Sequence, residues 1–159
     1  MEKSDIYLDT SVLSAYFDMR KPARQLMTQK WFQNDLKNFL PYMSTLVLEE
    51  INDTPEKELR DKMLNLAEQH SIDVFEINDD IYKIAAAYRK KVFPDETNDS
   101  IHLAVGAYNK MDAIVSWNFK HIVNLKTIQG IHEVNRAYGL APVEIITIEN
   151  LGGDKYGSL

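Results

Sequence analysis

No cysteine occurs among the 159 residues. That excludes a disulfide framework, thiolate metal ligands and a cysteine nucleophile, and it suits a reducing, cytoplasmic setting. Long apolar runs are missing as well. Nothing approaches the ~18 apolar residues of a membrane span, and the opening Met1-Glu2-Lys3-Ser4-Asp5 lacks the basic and then apolar order of a signal peptide. Positive charge is also scarce: 18 basic against 24 acidic residues leave a net charge of −6. A general electrostatic grip on nucleic acid is therefore not expected, and any such role must rest on a local site. What remains is the usual globular mixture, 45% hydrophobic and 26% charged, which supplies one core over a length suited to one domain. Residues 1–151 are expected to form it. The tail from Gly152 to Leu159 has too little apolar content to pack and is expected to fray.

The chain is punctuated locally, at Pro22, Pro41, Pro55, Pro94 and Pro142, without repeats or Gly/Ser linkers. Five short apolar runs read as strands: Ile6-Tyr7-Leu8, Pro41 to Ser44, Val74 to Ile77, Ala113 to Ser116, and Val143 to Ile148. Between them the period becomes helical, as in Ile81, Ile84, Ala85 and Tyr88, or Ile101, Ala104, Val105 and Tyr108. This alternation predicts an α/β fold with a mostly parallel five-stranded sheet and helices on both faces. Two helices in succession are expected between the second and third strands. There Asp53 or Thr54 suits a cap, and Pro55 suits the first turn of the second helix.

Open α/β sheets collect functional residues at the carboxyl ends of their strands. Here those positions hold acids. Asp9 ends the first strand before Thr10 and Ser11, where it suits either a helix cap or a ligand. Of Glu49 and Glu50, Glu50 shares the apolar side marked by Val47 and Leu46, three and four residues earlier, although a solvated first-turn pair is the commoner meaning of two adjacent glutamates. Asp99 opens an apolar helix, with His102, Leu103 and the closely packing Gly106 on its inner side, and Asp95 or Glu96 is the alternative cap. After the fourth strand, Asn118 stands where a fourth acid would fit. Asp112 precedes that strand and belongs to the opposite edge. His102 reads as a satisfied core histidine in preference to a general base.

Converging oxygen side chains with no cysteine are what a hard cation such as Mg²⁺ or Mn²⁺ requires. Two carboxylates ~4 Å apart at an effective dielectric of ~20 repel by about 4 kcal/mol, so an ionised cluster needs a divalent counter-charge. Metal-assisted phosphodiester hydrolysis is the chemistry that follows, the cation neutralising the phosphate and lowering the pKa of an attacking water. Other phosphate chemistries fit worse. The sequence has no Walker A loop and no Rossmann fingerprint, and Asp9-Thr10-Ser11-Val12 lacks the second acid, two residues on, of a haloacid dehalogenase-type phosphatase.

In order and spacing, Tyr7-Leu8-Asp9-Thr10-Ser11-Val12-Leu13, Ser44 to Ile51, Asp99-Ser100-Ile101-His102-Leu103-Ala104 and Asp112 to Asn118 resemble the PIN-domain ribonucleases, especially the VapC-like toxins of type II toxin–antitoxin pairs. The run Trp117-Asn118-x-x-His121-Ile122-x-Asn124 is similar to a subgroup of them. The resemblance spans nearly the whole chain and implies a PIN-like three-layer α/β/α fold. It places metal-binding acids at Asp9, Glu50 and Asp99, with Asn118 where many members carry a further Asp. It further implies an endoribonuclease using one or two Mg²⁺ or Mn²⁺ ions, a homodimer, and a cognate antitoxin. Asn118 is then expected to orient a water, and Thr10, Ser11 and Ser116 to support the carboxylates.

RNA positioning would fall to Arg20, Lys21, Arg24, Lys120 and His121, all of which equally suit a solvated rim. The aromatic stretch of Leu26, Trp31, Phe32, Leu36 and Phe39 suits a dimer face, an antitoxin site or simple core. A second reading, supported by Asn118, is a catalytically weak or inactive PIN-like module that binds RNA or protein. Retention of three mutually repelling carboxylates argues against it.

Overall fold

The structure is a computed structural model describing residues 2–92 and 94–151. The expected tail therefore lies outside the described residues. Strand β1 (Ser4–Leu8) leads into the short helix α1 (Thr10–Ala15) and then α2 (Pro22–Asn34), which starts on its proline. Strand β2 (Phe39–Ser44) runs directly into α3 (Thr45–Asn52), followed by α4 (Lys57–Gln69) and β3 (Asp73–Phe75). Helices α5 (Asp79–Lys91) and α6 (Thr97–Tyr108) precede β4 (Ala113–Val115), and α7 (Leu125–Ala137) precedes β5 (Glu144–Ile146).

Among the described residues the five strands form one sheet in the order β3-β2-β1-β4-β5, every pairing parallel. The strand pattern and the two successive helices, α3 and α4, match the sequence expectation. Three details differ. The last strand stops at Ile146, and Ile148–Leu151 turns as a 3₁₀ helix instead of extending it. The third strand is Asp73–Phe75, so Ile77 lies beyond it. Helix α4 begins at Lys57 with Glu56 at its N-cap, leaving Asp53, Thr54 and Pro55 in the connection. There the Arg60 guanidinium donates to the Thr54 carbonyl (2.7 Å) and the Pro55 carbonyl (3.1 Å), so a side chain satisfies groups that a helix starting at Pro55 would have used.

Strand alternation divides the interior. Ile6 and Leu8 face one core with Val12, Trp31, Phe32, Val47 and Ile51. Tyr7 faces the other, with Ile84, Tyr88, Leu103 and Val105 of α5 and α6. The sheet is thus the middle of three layers. Trp31, Phe32 and Leu36 are buried, so core packing accounts for most of the aromatic stretch, while Leu26 is 53% exposed. Asp112 sits at the strands' amino-terminal edge, where its carboxylate accepts from the Asp5 N–H (2.8 Å).

Helix α6 reaches the sheet closely because Gly106 has no side chain: a Cβ there would run into the Ile114 side chain of β4. Gly106→Ala is therefore expected to destabilise the protein by about 1–3 kcal/mol, overpacking outweighing the better helix propensity of alanine. Urea denaturation of the variant beside wild type measures this, and equal midpoints would show that Ile114 moves freely.

Candidate active site

In this topology β1 is central, with β2 on one side and β4 on the other. The chain reverses its winding at that point, which in open α/β sheets is where a crevice forms between the carboxyl ends of the two strands, here β1 and β4. Asp9 follows β1 there, and Ser116, Trp117 and Asn118 follow β4.

Asp9 is 4% exposed. Its Oδ1 accepts from the Ser11 N–H (3.1 Å) and the Ser11 hydroxyl (2.5 Å), and its Oδ2 accepts from the Ser116 hydroxyl (2.6 Å). The serines are fixed in turn, since the Trp117 N–H donates to Ser11 Oγ and the Asn118 N–H to Ser116 Oγ, both at 2.9 Å. Asp9 is therefore a helix cap, and it is also a carboxylate locked in orientation at the strand crevice. Burial pushes its carboxyl above the usual aspartate range, although attraction to His102 and the two serine hydrogen bonds oppose the shift.

Glu50 lies on α3 with its side chain 29% exposed, whereas Glu49 is exposed. Its Oε1 accepts from the Thr10 hydroxyl (2.7 Å) and meets His102 Nε2 at 2.6 Å; among the described residues its Oε2 meets only the Asn98 amide, at 3.4 Å. Burial works to raise this carboxyl, but the hydrogen bond and charge of His102, then Thr10 and Asn98, outweigh it and hold Glu50 below the usual glutamate range. The helical-face choice of Glu50 over Glu49 thus agrees with the geometry.

Asp99, half-buried in the first turn of α6, has the weakest support of the three. Its two oxygens each lie 3.5 Å from the Asn118 amide nitrogen. Burial raises its carboxyl, attraction to His102 and His121 lowers it, and the nearby charges of Asp9 and Glu96 raise it again, leaving it above its ordinary value. Asn118 Oδ1 accepts from the His121 N–H at 2.9 Å, which turns the amide NH₂ toward Asp99.

The structure thus brings Asp9, Ser11, Ser116, Glu50, Thr10, Asp99 and Asn118 to one sheet edge. Within 4.8 Å of one another, however, the group among the described residues able to share a cation is Glu96, Asp99 and His121, not Asp9, Glu50 and Asp99. Glu96 is the N-cap residue of α6, yet its side chain makes no cap bond and faces His121 Nδ1 at 3.5 Å. Sequence reasoning left Glu96 as a cap or a solvated acid. It likewise took His102 for a core histidine; buried it is, but it also bonds Glu50. The available signal was the three-residue spacing of Glu96, Asp99 and His102, which puts all three on one side of α6.

The basic residues scatter. Arg20 is exposed and paired with Asp18 (2.9 Å), and Lys21 is exposed at the start of α2. Arg24 stacks 4.9 Å over the Trp117 ring and 5.6 Å from Phe119, directly beside the crevice. Lys120 and His121 line a hollow with Asn124, Lys126 and Thr127.

Residues 6–120 match the family model for the PIN domain. The structure is similar to that of VapC20 from Mycobacterium tuberculosis, described as a toxin cleaving the sarcin–ricin loop, with a TM-score of 0.58 and 15% identity over 87% of this chain and 98% of that one. It is also similar to VapBC2 from Rickettsia felis bound to a promoter DNA fragment, with a TM-score of 0.55 and 10% identity over 90% and 98%. No curated protein matches by direct comparison. With residues 6–120, more than half its length, matching that model, the chain belongs to the PIN domain family.

Proposed function

We propose that the chain is a Mg²⁺- or Mn²⁺-dependent endoribonuclease and the toxin of a type II toxin–antitoxin pair. The observation that carries this reading is Asp99, a half-buried carboxylate with no donor closer than 3.5 Å among the described residues, at an edge it shares with Asp9 and Glu50. A purely structural carboxylate at that depth would be expected to have a closer donor. The donor set consists of oxygens without any thiolate, and suits a hard cation. VapC20, described as a sarcin–ricin loop cleaving toxin, shares this fold, which favours a toxin acting on RNA, with the antitoxin such a toxin implies, over other PIN assignments.

In this reading Asp9, Glu50 and Asp99 hold the metal, drawing together on binding from positions in which their oxygens do not all lie within 4.8 Å of one another. When bound, the cation neutralises charge on the scissile phosphate and makes an attacking water more acidic. Ser11 and Ser116 keep Asp9 from rotating, and Thr10 does the same for Glu50. Asn118 adds an amide donor beside Asp99 where a fourth carboxylate would bring charge. Arg24, Lys120 and His121 flank the crevice and contact backbone phosphates, whereas Arg20 is already partnered by Asp18. A homodimer and a cytoplasmic location complete the proposal. The competing module that binds without cutting is favoured by one observation: the Asn118 amide nitrogen, not its oxygen, faces Asp99.

Purified protein is expected to cleave a mixed RNA pool with Mn²⁺, to stop with EDTA, and to lose cleavage in Asp99→Asn prepared identically. Cutting that persists in the variant would mean a contaminating nuclease or a different site. Metal-free stability gives a second check. Because burial raises the folded Asp99 carboxyl above its unfolded value of ~3.9, the stability it contributes is present below that pH and is lost as pH rises through the folded value. Asp99→Asn without metal should therefore melt higher than wild type at pH 7, with the gap closing toward about pH 4; calorimetry across that range reads it. Adding charge has the opposite aim: Asn118→Asp should tighten Mn²⁺ binding by about tenfold or more, measured by titration calorimetry, and unchanged affinity would place Asn118 outside the metal site.

A further inference from the structure

A line of buried polar groups crosses the core behind Glu50. Ser44 Oγ lies 2.8 Å from the Tyr7 hydroxyl, that hydroxyl lies 2.6 Å from His102 Nδ1, and His102 Nε2 lies 2.6 Å from Glu50 Oε1. Ser44 and Tyr7 are fully buried and His102 is 2% exposed. The hydrogen-bond directions follow from chemistry. An ionised Glu50 has no proton to give, so His102 must donate from Nε2. Nδ1 meets the Tyr7 hydroxyl, which in turn meets Ser44 Oγ, so the ring is held from its buried side as well.

Such a line is a poor way to gain stability alone. Ser44 is the N-cap of α3, yet its side chain makes no cap bond because it is turned to Tyr7; a lost cap typically costs ~1 kcal/mol. Phe at position 7 and Leu at 102 would fill the same space without polar groups to satisfy. The effect of the line appears at its far end. Glu50 Oε1 is held by two short bonds, from Thr10 and His102, while among the described residues Oε2 meets only Asn98 at 3.4 Å.

We propose that His102 is the positioning residue of the site: with its ring held by Tyr7 and Ser44, it donates from Nε2 to Glu50 Oε1 and leaves Oε2 to the divalent cation. This rests on the metal-nuclease reading. Tyr7 acts one step further back, by holding the ring at Nδ1. The line links β2, β1 and α6 to α3, so the orientation of one exposed carboxylate oxygen is set by groups that solvent does not reach.

Two measurements test it. Long-range ¹H–¹⁵N spectra of the metal-free wild-type protein should show a hydrogen on His102 Nε2; an Nε2 without one would overturn the proposal whatever the protein cleaves. Mn²⁺ affinity is then measured by titration calorimetry for wild type, His102→Leu, His102→Gln and Tyr7→Phe, with circular dichroism confirming the fold. His102→Leu should weaken Mn²⁺ binding about 10–100-fold. His102→Gln, whose amide can still donate to Glu50, should recover most of it. Tyr7→Phe, which keeps the ring packing, should show a smaller loss, so the test stands even if His102→Leu fails to fold. Folded variants that bind Mn²⁺ as wild type does would make His102 merely structural and end the proposal. Wild type that binds no Mn²⁺, or binds it no better than Asp99→Asn, would remove the nuclease reading itself and the positioning role with it.

Discussion

Everything at the candidate site depends on one awkward placement, a carboxylate buried at the end of the central strand. Asp9 is 4% exposed, in a position where an ionised group loses most of its hydration. The surrounding structure compensates with short hydrogen bonds from Ser11 and Ser116, and those serines are fixed by the backbone N–H groups of Trp117 and Asn118. The turn after β4 is thereby tied to the turn after β1. That tie shapes the crevice, sets where Asn118 falls, and through Asn118 determines what faces Asp99.

Around this point the acids are held in three different ways. Asp9 is gripped on both oxygens. Glu50 is gripped on one and left nearly free on the other. Asp99 has only a distant amide among the described residues. The progression from fully to barely satisfied is hard to explain as packing, because unsatisfied buried carboxylates lower stability. Under the proposed function, a divalent cation meets the charge that the protein leaves unmatched. The opposing shifts agree: burial raises Asp9 and Asp99, while the His102 side pulls Glu50 down.

The polar line from Ser44 to Glu50 shows how a hydrophobic fold carries orientation inward to outward. Tyr7 alternates with Ile6 and Leu8 along β1, so it faces the α5 and α6 layer while its neighbours face the other core. Its hydroxyl meets a histidine there because α6 lies close on the sheet, an approach that Gly106 permits over Ile114. Sheet register, helix packing and a carboxylate's rotamer are thus coupled.

Much of this was legible in the sequence. Strand and helix periods fix faces locally, so the five strands, the paired helices α3 and α4, and Asp9, Glu50, Asp99 and Asn118 as edge residues could be read from spacing alone. Glu50 over Glu49 followed from ~100° per helical residue. What spacing does not encode is which side chain meets which across the sheet. Whether Trp31 and Phe32 make core or surface, that Arg60 satisfies the Thr54 and Pro55 carbonyls, that Glu96 faces His121, and that His102 joins Tyr7 to Glu50 are contacts between residues up to 95 positions apart. Those were decided only when the sheet order placed β1 between β2 and β4, because hydrogen bonds act over about 3 Å and depend on the folded distance, to which separation along the chain is no guide.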